Sequence, residues 1–188
     1  ELRYGSVASS TLGSFSAERS AGSIGLHVDG AYSDAGDYRI PGYANLGGTG
    51  DLHRLSFSGS REQSLGFGAS MVKDWGYVGA SLSQLDRDYG IHGAQDRSTI
   101  AMGQTRVDVD ALLKSPLDGF DALRVRVGNS DYHHTEYEDG TDPAVRFSNK
   151  TLETRWELDH RPLAGWRGKF GLQTEQGDVQ AVNADPLI

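Results

Sequence analysis

The run Tyr132-His133-His134-Thr135-Glu136-Tyr137-Glu138 places imidazoles and carboxylates within a few residues of one another. These are donor types that suit Zn²⁺ or a similar ion. On a strand His134 and Glu136 share a side, while the adjacent His133 points to the opposite face. His92 is a further imidazole in a Gly-rich stretch. The candidate metal ligands are therefore His92, His133, His134 and Glu136, and a complete site would have to borrow ligands from other loops. The plainer reading of the same run is a solvated strand end. A second group, Asp34, Asp37, Asn45 and Asp51, supplies the oxygen ligands that Ca²⁺ prefers, but its spacing matches no EF-hand loop. Asp, Asn and Gly are also the ordinary residues of turns.

Catalytic patterns are sparse. No Gly-x-Ser-x-Gly elbow lies between a strand and a helix, and the histidines have no evident triad partner. Glu153 and Glu157 fall on one side of a strand, as an acid and a base would, but Arg155 lies between them on that side and favours ion pairing. No catalytic residue is assigned, no cofactor is expected, and the chain is read as a non-enzyme.

These residues need strands to position them. Leu152, Thr154, Trp156 and Leu158 share one face while Glu153, Arg155, Glu157 and Asp159 share the other. A helix would scatter those charges around its circumference; period two means strand. Ile24-Leu26-Val28, Val107-Val109-Ala111 and Leu123-Val125-Val127 repeat the pattern. From Phe120 to Tyr132, or Trp75 to Tyr89, the chain runs about a dozen residues without a turn signal, where a soluble strand averages ~5–6. Four short turns divide the chain, at Ser20-Ala21-Gly22, Lys73-Asp74-Trp75-Gly76, Leu117-Asp118-Gly119-Phe120 and Leu163-Ala164-Gly165-Trp166, and the connections opposite them are long and polar. Trp75, Phe120 and Trp166 sit at the short turns, and Tyr32, Tyr89 and Tyr132 sit where strands run out into the long loops, as two interfacial aromatic girdles would. The pattern predicts an all-β fold, an antiparallel transmembrane β-barrel. About nine strands are read, an odd count that leaves such a barrel incomplete.

Composition narrows the function classes. The 188 residues carry a formal net charge of −8, with Lys and Arg spread along the strands rather than clustered, which argues against nucleic acid as a partner. With no cysteine there is no disulfide framework, thiolate metal site or cysteine nucleophile. The 25 glycines exceed the usual ~7% and suit bends and close strand packing.

Several segments carry a resemblance: RYGS from Arg3, YSDAGDYRIPGYAN from Tyr32, GYVGASLSQLDRDYGI from Gly76, GFDALRVRVGNSDYHHTEYE from Gly119 and FSNKTLETRWELDHRPLAGWRGKFGLQ from Phe147. Together they are similar to the barrel of TonB-dependent outer-membrane receptors, nearest to the zinc-uptake branch. The resemblance implies a 22-stranded barrel, of which residues 1–188 would be a partial domain, with the plug domain and remaining strands absent. It also implies a bacterial outer-membrane location, contact with outer-membrane lipid, and, in an intact receptor, a plug domain and the TonB energy-coupling protein as partners. The function implied is that of a receptor segment for uptake of a scarce nutrient, a metal ion, siderophore or similar. On that reading the long loops face outward, and Asp37, Tyr38, Tyr43, Asn45 and Tyr137 are the substrate-loop candidates. The loop from Gly90 to Asp96 holds a single histidine, so zinc specificity is not implied. The alternative is a soluble, propeller-like repeat binding protein. The turn-to-turn spacing of about 44 to 54 residues overlaps a ~40–50-residue blade, although a blade needs four short strands where two long ones are read.

Overall fold

The computed structural model describes residues 1–45, 48–92, 98–138 and 142–183. Among the described residues there are eleven strands: β1 (Leu2–Gly5), β2 (Ser10–Ala21), β3 (Ile24–Ala35), β4 (Tyr38–Tyr43), β5 (Leu52–Leu55), β6 (Ser60–Lys73), β7 (Gly76–Gly90), β8 (Thr99–Lys114), β9 (Phe120–Glu138), β10 (Asp142–Leu163) and β11 (Trp166–Asn183). Nine of them make one sheet in the order β1-β2-β3-β6-β7-β8-β9-β10-β11, every neighbouring pair antiparallel. The short β4 and β5 pair only with each other, as an appended hairpin between β3 and β6.

The turns follow from local chemistry. Leu163 pairs with Trp166 across Ala164 and Gly165, both at positive φ (50° and 84°), the arrangement of a type I′ hairpin turn. Gly76 opens β7 at φ 140°, and a Cβ there would lie 1.8 Å from the Leu112 carbonyl oxygen, so no other residue fits.

Register then sorts side chains into two faces, because directly opposed residues of an antiparallel pair lie on the same side. Ile24 pairs with Met71, Met71 with Val78, Val78 with Ala111, Ala111 with Val125, Val125 with Trp156 and Trp156 with Leu172. Parallel rows run through Leu26, Ala69, Ala80, Val109 and Val127, and through Val28, Phe67, Leu82 and Val107. Leu113, Leu123, Leu158 and Phe170 add a row beside the turns. The belt spans about six residue steps along each strand, roughly 20 Å. It ends at a polar row containing Gln84, Thr105, Asp131 and Lys150, the last two joined at 3.1 Å.

Nothing covers this belt among the described residues. Phe67 is 49% exposed, Trp156 44% and Leu172 62%, and among the described residues the only buried apolar side chains are Ala8 and Ile100. Ordinary domains bury such a face against a second layer. Here the sheet is a single layer.

The antiparallel all-β character stands, but the expected incomplete transmembrane β-barrel, nine strands of a 22-stranded one, does not. The sheet is open: β1 and β11 are its two edges and do not pair with each other. The expected aromatic girdle also fails on register. Tyr32 pairs with Gln63 on the side of Ile24 and Leu26, whereas Tyr89 and Tyr132 fall on the opposite face, paired with Ile100 and Gln104. The outer-membrane location, implied by the resemblance to a barrel family, has no closed barrel behind it and is set aside. No helix among the described residues is long and apolar enough to cross a membrane. The propeller alternative is overturned too, because β2, β3 and β6 to β11, each 12 to 22 residues long, share one continuous sheet rather than four-stranded blades.

Candidate functional site

The chemistry of the molecule is divided among the polar face, the far ends of β8 to β10, and the β4–β5 hairpin. On the polar face, opposite charges two residues apart or directly across a strand pair neutralise one another. Arg106 clamps Asp108 through two nitrogens, at 2.8 to 3.0 Å, and reaches Glu153 at 3.8 Å. Asp110 accepts from Arg126 at 2.7 Å and from the Tyr77 hydroxyl. Glu157 is surrounded by three cations: Arg155 at 2.7 Å, Arg124 at 3.8 Å and Lys169 at 3.9 Å. Toward the opposite edge, His27 sits between Glu18 at 3.0 Å and Asp29 at 2.8 Å. Glu153 and Glu157 are thus each held by basic groups, in keeping with ion pairing rather than acid–base work. Arg106, Asp110 and Arg124 were missed as members of this network. The available signal was their alternation with apolar residues, but their partners lie on other strands.

The histidine run divides as period two requires. His133 points to the belt side over Gly103, where an added Cβ would come within 2.7 Å of its ring. His134 lies on the polar side, its ring stacked on Phe147 with centroids 5.0 Å apart. Its Nδ1 is 3.0 Å from the Tyr132 hydroxyl and its Nε2 is 3.6 Å from Glu136. Tyr132 is half-buried, and burial raises its phenol above the usual range. Nδ1 of His92 faces the Ser56 carbonyl oxygen at 3.2 Å, far from this cluster in the chain. No group of three metal-type ligands assembles among the described residues. The structure therefore does not gather His92, His133, His134 and Glu136 into one site.

Of the substrate-loop candidates, Asp37 has the most defined role. Its Oδ1 accepts from the backbone N–H groups of Ser58 (3.0 Å) and Gly59 (2.9 Å), and its Oδ2 pairs with Arg54 at 2.7 Å. Burial pushes the carboxyl pKa up, but Arg54 and the two N–H donors outweigh it and hold it below the usual carboxylate range. The Ser58 hydroxyl accepts from the Tyr38 N–H and donates to the Leu55 carbonyl. Asn45 closes the tip through Thr49, backbone to backbone at 3.0 Å and side chain to side chain at 3.2 Å. Tyr38 and Tyr43 stay about half exposed on the hairpin. A recess of about 440 Å³ includes Asp37, Asp51, Arg54 and Phe57 in its lining, and adjoins a groove of about 620 Å³ bordered by Asp34, Arg61, Asp88, Tyr89 and Tyr137. Gly59, Gly90 and Thr99 border both. Gly90 has to be glycine, since a Cβ would sit 2.4 Å from the Phe57 carbonyl oxygen. Asp37 and Tyr137 thus border adjoining hollows, while Tyr38, Tyr43 and Asn45 do not line them. Residues 93–96 of the single-histidine loop lie outside the described residues.

No known family model matches the chain. The resemblance to TonB-dependent receptors of the zinc-uptake branch has no family match behind it, and the sheet is not a barrel. The assignment as a segment of a nutrient-uptake receptor is accordingly corrected. What the structure defines is an antiparallel, single-layer β-sheet protein with one apolar and one ion-paired face.

Proposed function

We propose that this chain is a non-catalytic sheet that lays its apolar face against lipid acyl chains and keeps its ion-paired face wet. One observation carries the reading: the row Ile24, Met71, Val78, Ala111, Val125, Trp156 and Leu172 crosses seven strands in direct register, and its members Ile24, Trp156 and Leu172, with Leu26 and Phe67 of neighbouring rows, are exposed. A contiguous apolar surface of this kind needs a cover. Burial of apolar area at ~25 cal/mol per Å² gives a strong drive toward any apolar phase. A second protein layer would be shaped to local knobs and hollows, whereas a lipid layer asks only for a continuous apolar surface, which the directly paired rows provide. The mixed-sign charges and formal net charge of −8 support neither nucleic acid nor a tuned acid–base pair.

The test uses the native tryptophan at mid-belt. With Trp75 and Trp166 changed to Phe, Trp156 fluorescence should be strongly quenched by phosphatidylcholine vesicles brominated along their acyl chains. A variant retaining only Trp75, at a turn, should be quenched less. Equal quenching at both positions, or failure of the protein to float with vesicles, overturns the reading. A stable face-to-face dimer without lipid would assign the belt to a second copy instead.

A further inference from the structure

The apolar belt is not level. Over β2, β3, β6, β7 and β8 it sinks into a hollow of about 830 Å³. Register accounts for the depth. Ala69 and Ala80 oppose each other in the row of Leu26, and Ala17 stands in the next row with Val28, Phe67, Leu82 and Val107. Three short side chains thus lie among long ones. The five strands set four spacings of ~4.8 Å, so the hollow runs roughly 19 Å across the sheet and is only two rows wide.

One end of it is charged. Arg19 opposes Leu26, so its side chain leaves the strand on the belt side, and it lines the hollow at β2. Its guanidinium has no carboxylate partner among the described residues, whereas Arg106, Arg126 and Arg155 on the polar face are each ion-paired. Glu18, the one carboxylate at the rim, belongs to the opposite face and is held by His27 at 3.0 Å. A cation at the end of an apolar trough calls for an anion that the occupant brings.

We infer that the hollow binds one long-chain fatty acid, with its hydrocarbon chain laid across β3 to β8 and its carboxylate on Arg19. The shapes correspond: one narrow chain, with one charge at one end. A guanidinium receives a carboxylate through two parallel N–H···O bonds, and the chain covers Phe67 and Leu82, which are otherwise 49% and 45% exposed. A phospholipid would leave its second chain outside a hollow two rows wide, and an uncharged hydrocarbon would leave Arg19 unanswered. This inference rests on the acyl-chain reading of the belt and adds to it a defined site and a required head-group charge.

The experiment uses the full chain in nonionic detergent micelles, with Phe67→Trp as the reporter and Trp75, Trp156 and Trp166 changed to Phe. At about pH 9, well above the carboxylate range, dibromostearic acid should quench the reporter at a mole fraction about tenfold lower than its methyl ester. Arg19→Gln should erase that preference, and Ala80→Phe, which fills the floor, should weaken quenching by the acid about tenfold. Acid and ester quenching alike, or a preference that survives Arg19→Gln, overturns the proposal. Brominated phosphatidylglycerol that quenches at as low a mole fraction as the acid also overturns it, because the hollow then takes a phospholipid. If the site fails in micelles while the native chain still floats with phosphatidylcholine vesicles, the acyl-chain reading stands without it. If the native chain does not float, that reading fails whatever the micelles show.

Discussion

The two faces of the sheet are built on the same backbone and governed by different rules. On the belt face, Val28 over Phe67 or Val109 beside Val127 requires only that each residue be apolar, so one side chain can replace another of similar size. On the opposite face each group has particular partners: Asp110 needs Arg126 and Tyr77, and Glu157 needs Arg155. The contrast teaches that the belt depends on its surroundings, whereas the ion-paired face is satisfied from within the chain. Substitutions on the two faces should therefore separate lipid affinity from stability.

The largest effect is expected from a charge placed in the belt. Val109→Arg removes an apolar residue from the middle of a row and puts a guanidinium where acyl chains are proposed to lie. Losing the burial of a valine costs about 1.5 kcal/mol, and desolvating the charge adds more. Partition into phosphatidylcholine vesicles, measured by flotation, should fall by about a hundredfold or more. Stability in detergent-free buffer should change little. Unchanged partition would mean that the belt is not the contacting surface.

The converse is expected on the polar face. Asp110→Ala removes the acceptor of Arg126 and the Tyr77 hydroxyl on a wet face and should lower stability in urea unfolding by about 1 kcal/mol or less. Vesicle partition should stay where it is. A parallel loss of both quantities would show that the two faces are not independent.

Much of this wall was legible in the sequence, since period two alone assigns faces. Leu152, Thr154, Trp156 and Leu158 lie on one side of β10 as their spacing requires, and His133 and His134 point apart for the same reason. Closure was not legible. Alternation in one strand says which residues share a side, while closure depends on strand number and on how registers stagger around the whole sheet. Aromatic placement misled in the same way, because Tyr32 and Tyr132 sit at similar heights but occupy opposite faces. The hairpin was hidden too: Pro41 and Gly42 interrupt alternation in β4, and its pairing with β5 shifts between Arg39 and Tyr43. Asp37 could not be distinguished from an ordinary turn aspartate because Arg54, Ser58 and Gly59 lie 17 to 22 residues away.

Asp37 gives a comparison of intermediate size, between the wall and the appended hairpin. Its carboxyl pKa is lowered in the folded chain, so its contribution is present above the unfolded carboxylate range and is lost as pH falls through the lower folded value. Protection of the Ser58 and Gly59 amides, relative to the intrinsic exchange rate at each pH, should be high at neutral pH and fall only once the pH drops below the usual carboxylate range and the carboxyl protonates. With Asp37→Asn those amides should be less protected at neutral pH, and the acid-induced loss of protection should disappear. Exchange within β8 and β9 should not respond to the substitution, because β4 and β5 form no strand pairing with them. If β8 amides loosen with it, the hairpin is coupled to the wall.

The smallest effect tests the belt most finely. The Thr154 and Thr174 hydroxyls lie 2.7 Å apart in the middle of the apolar face and satisfy each other. If water covered that face, Thr154→Val would cost little, because the Thr174 hydroxyl would turn to solvent. Against acyl chains the stranded hydroxyl has no partner, and leaving a polar group unpaired costs about 1–3 kcal/mol at full burial and less at a half-exposed site. The single variant should thus bind vesicles a few-fold more weakly than the native chain, even though it is more apolar. Replacing both, as Thr154→Val with Thr174→Val, removes the unpaired group and should restore binding to the native level or above. A single variant that binds more tightly than the native chain would indicate that the hydroxyls remain hydrated, and the belt would then have to be covered by something wetter than lipid.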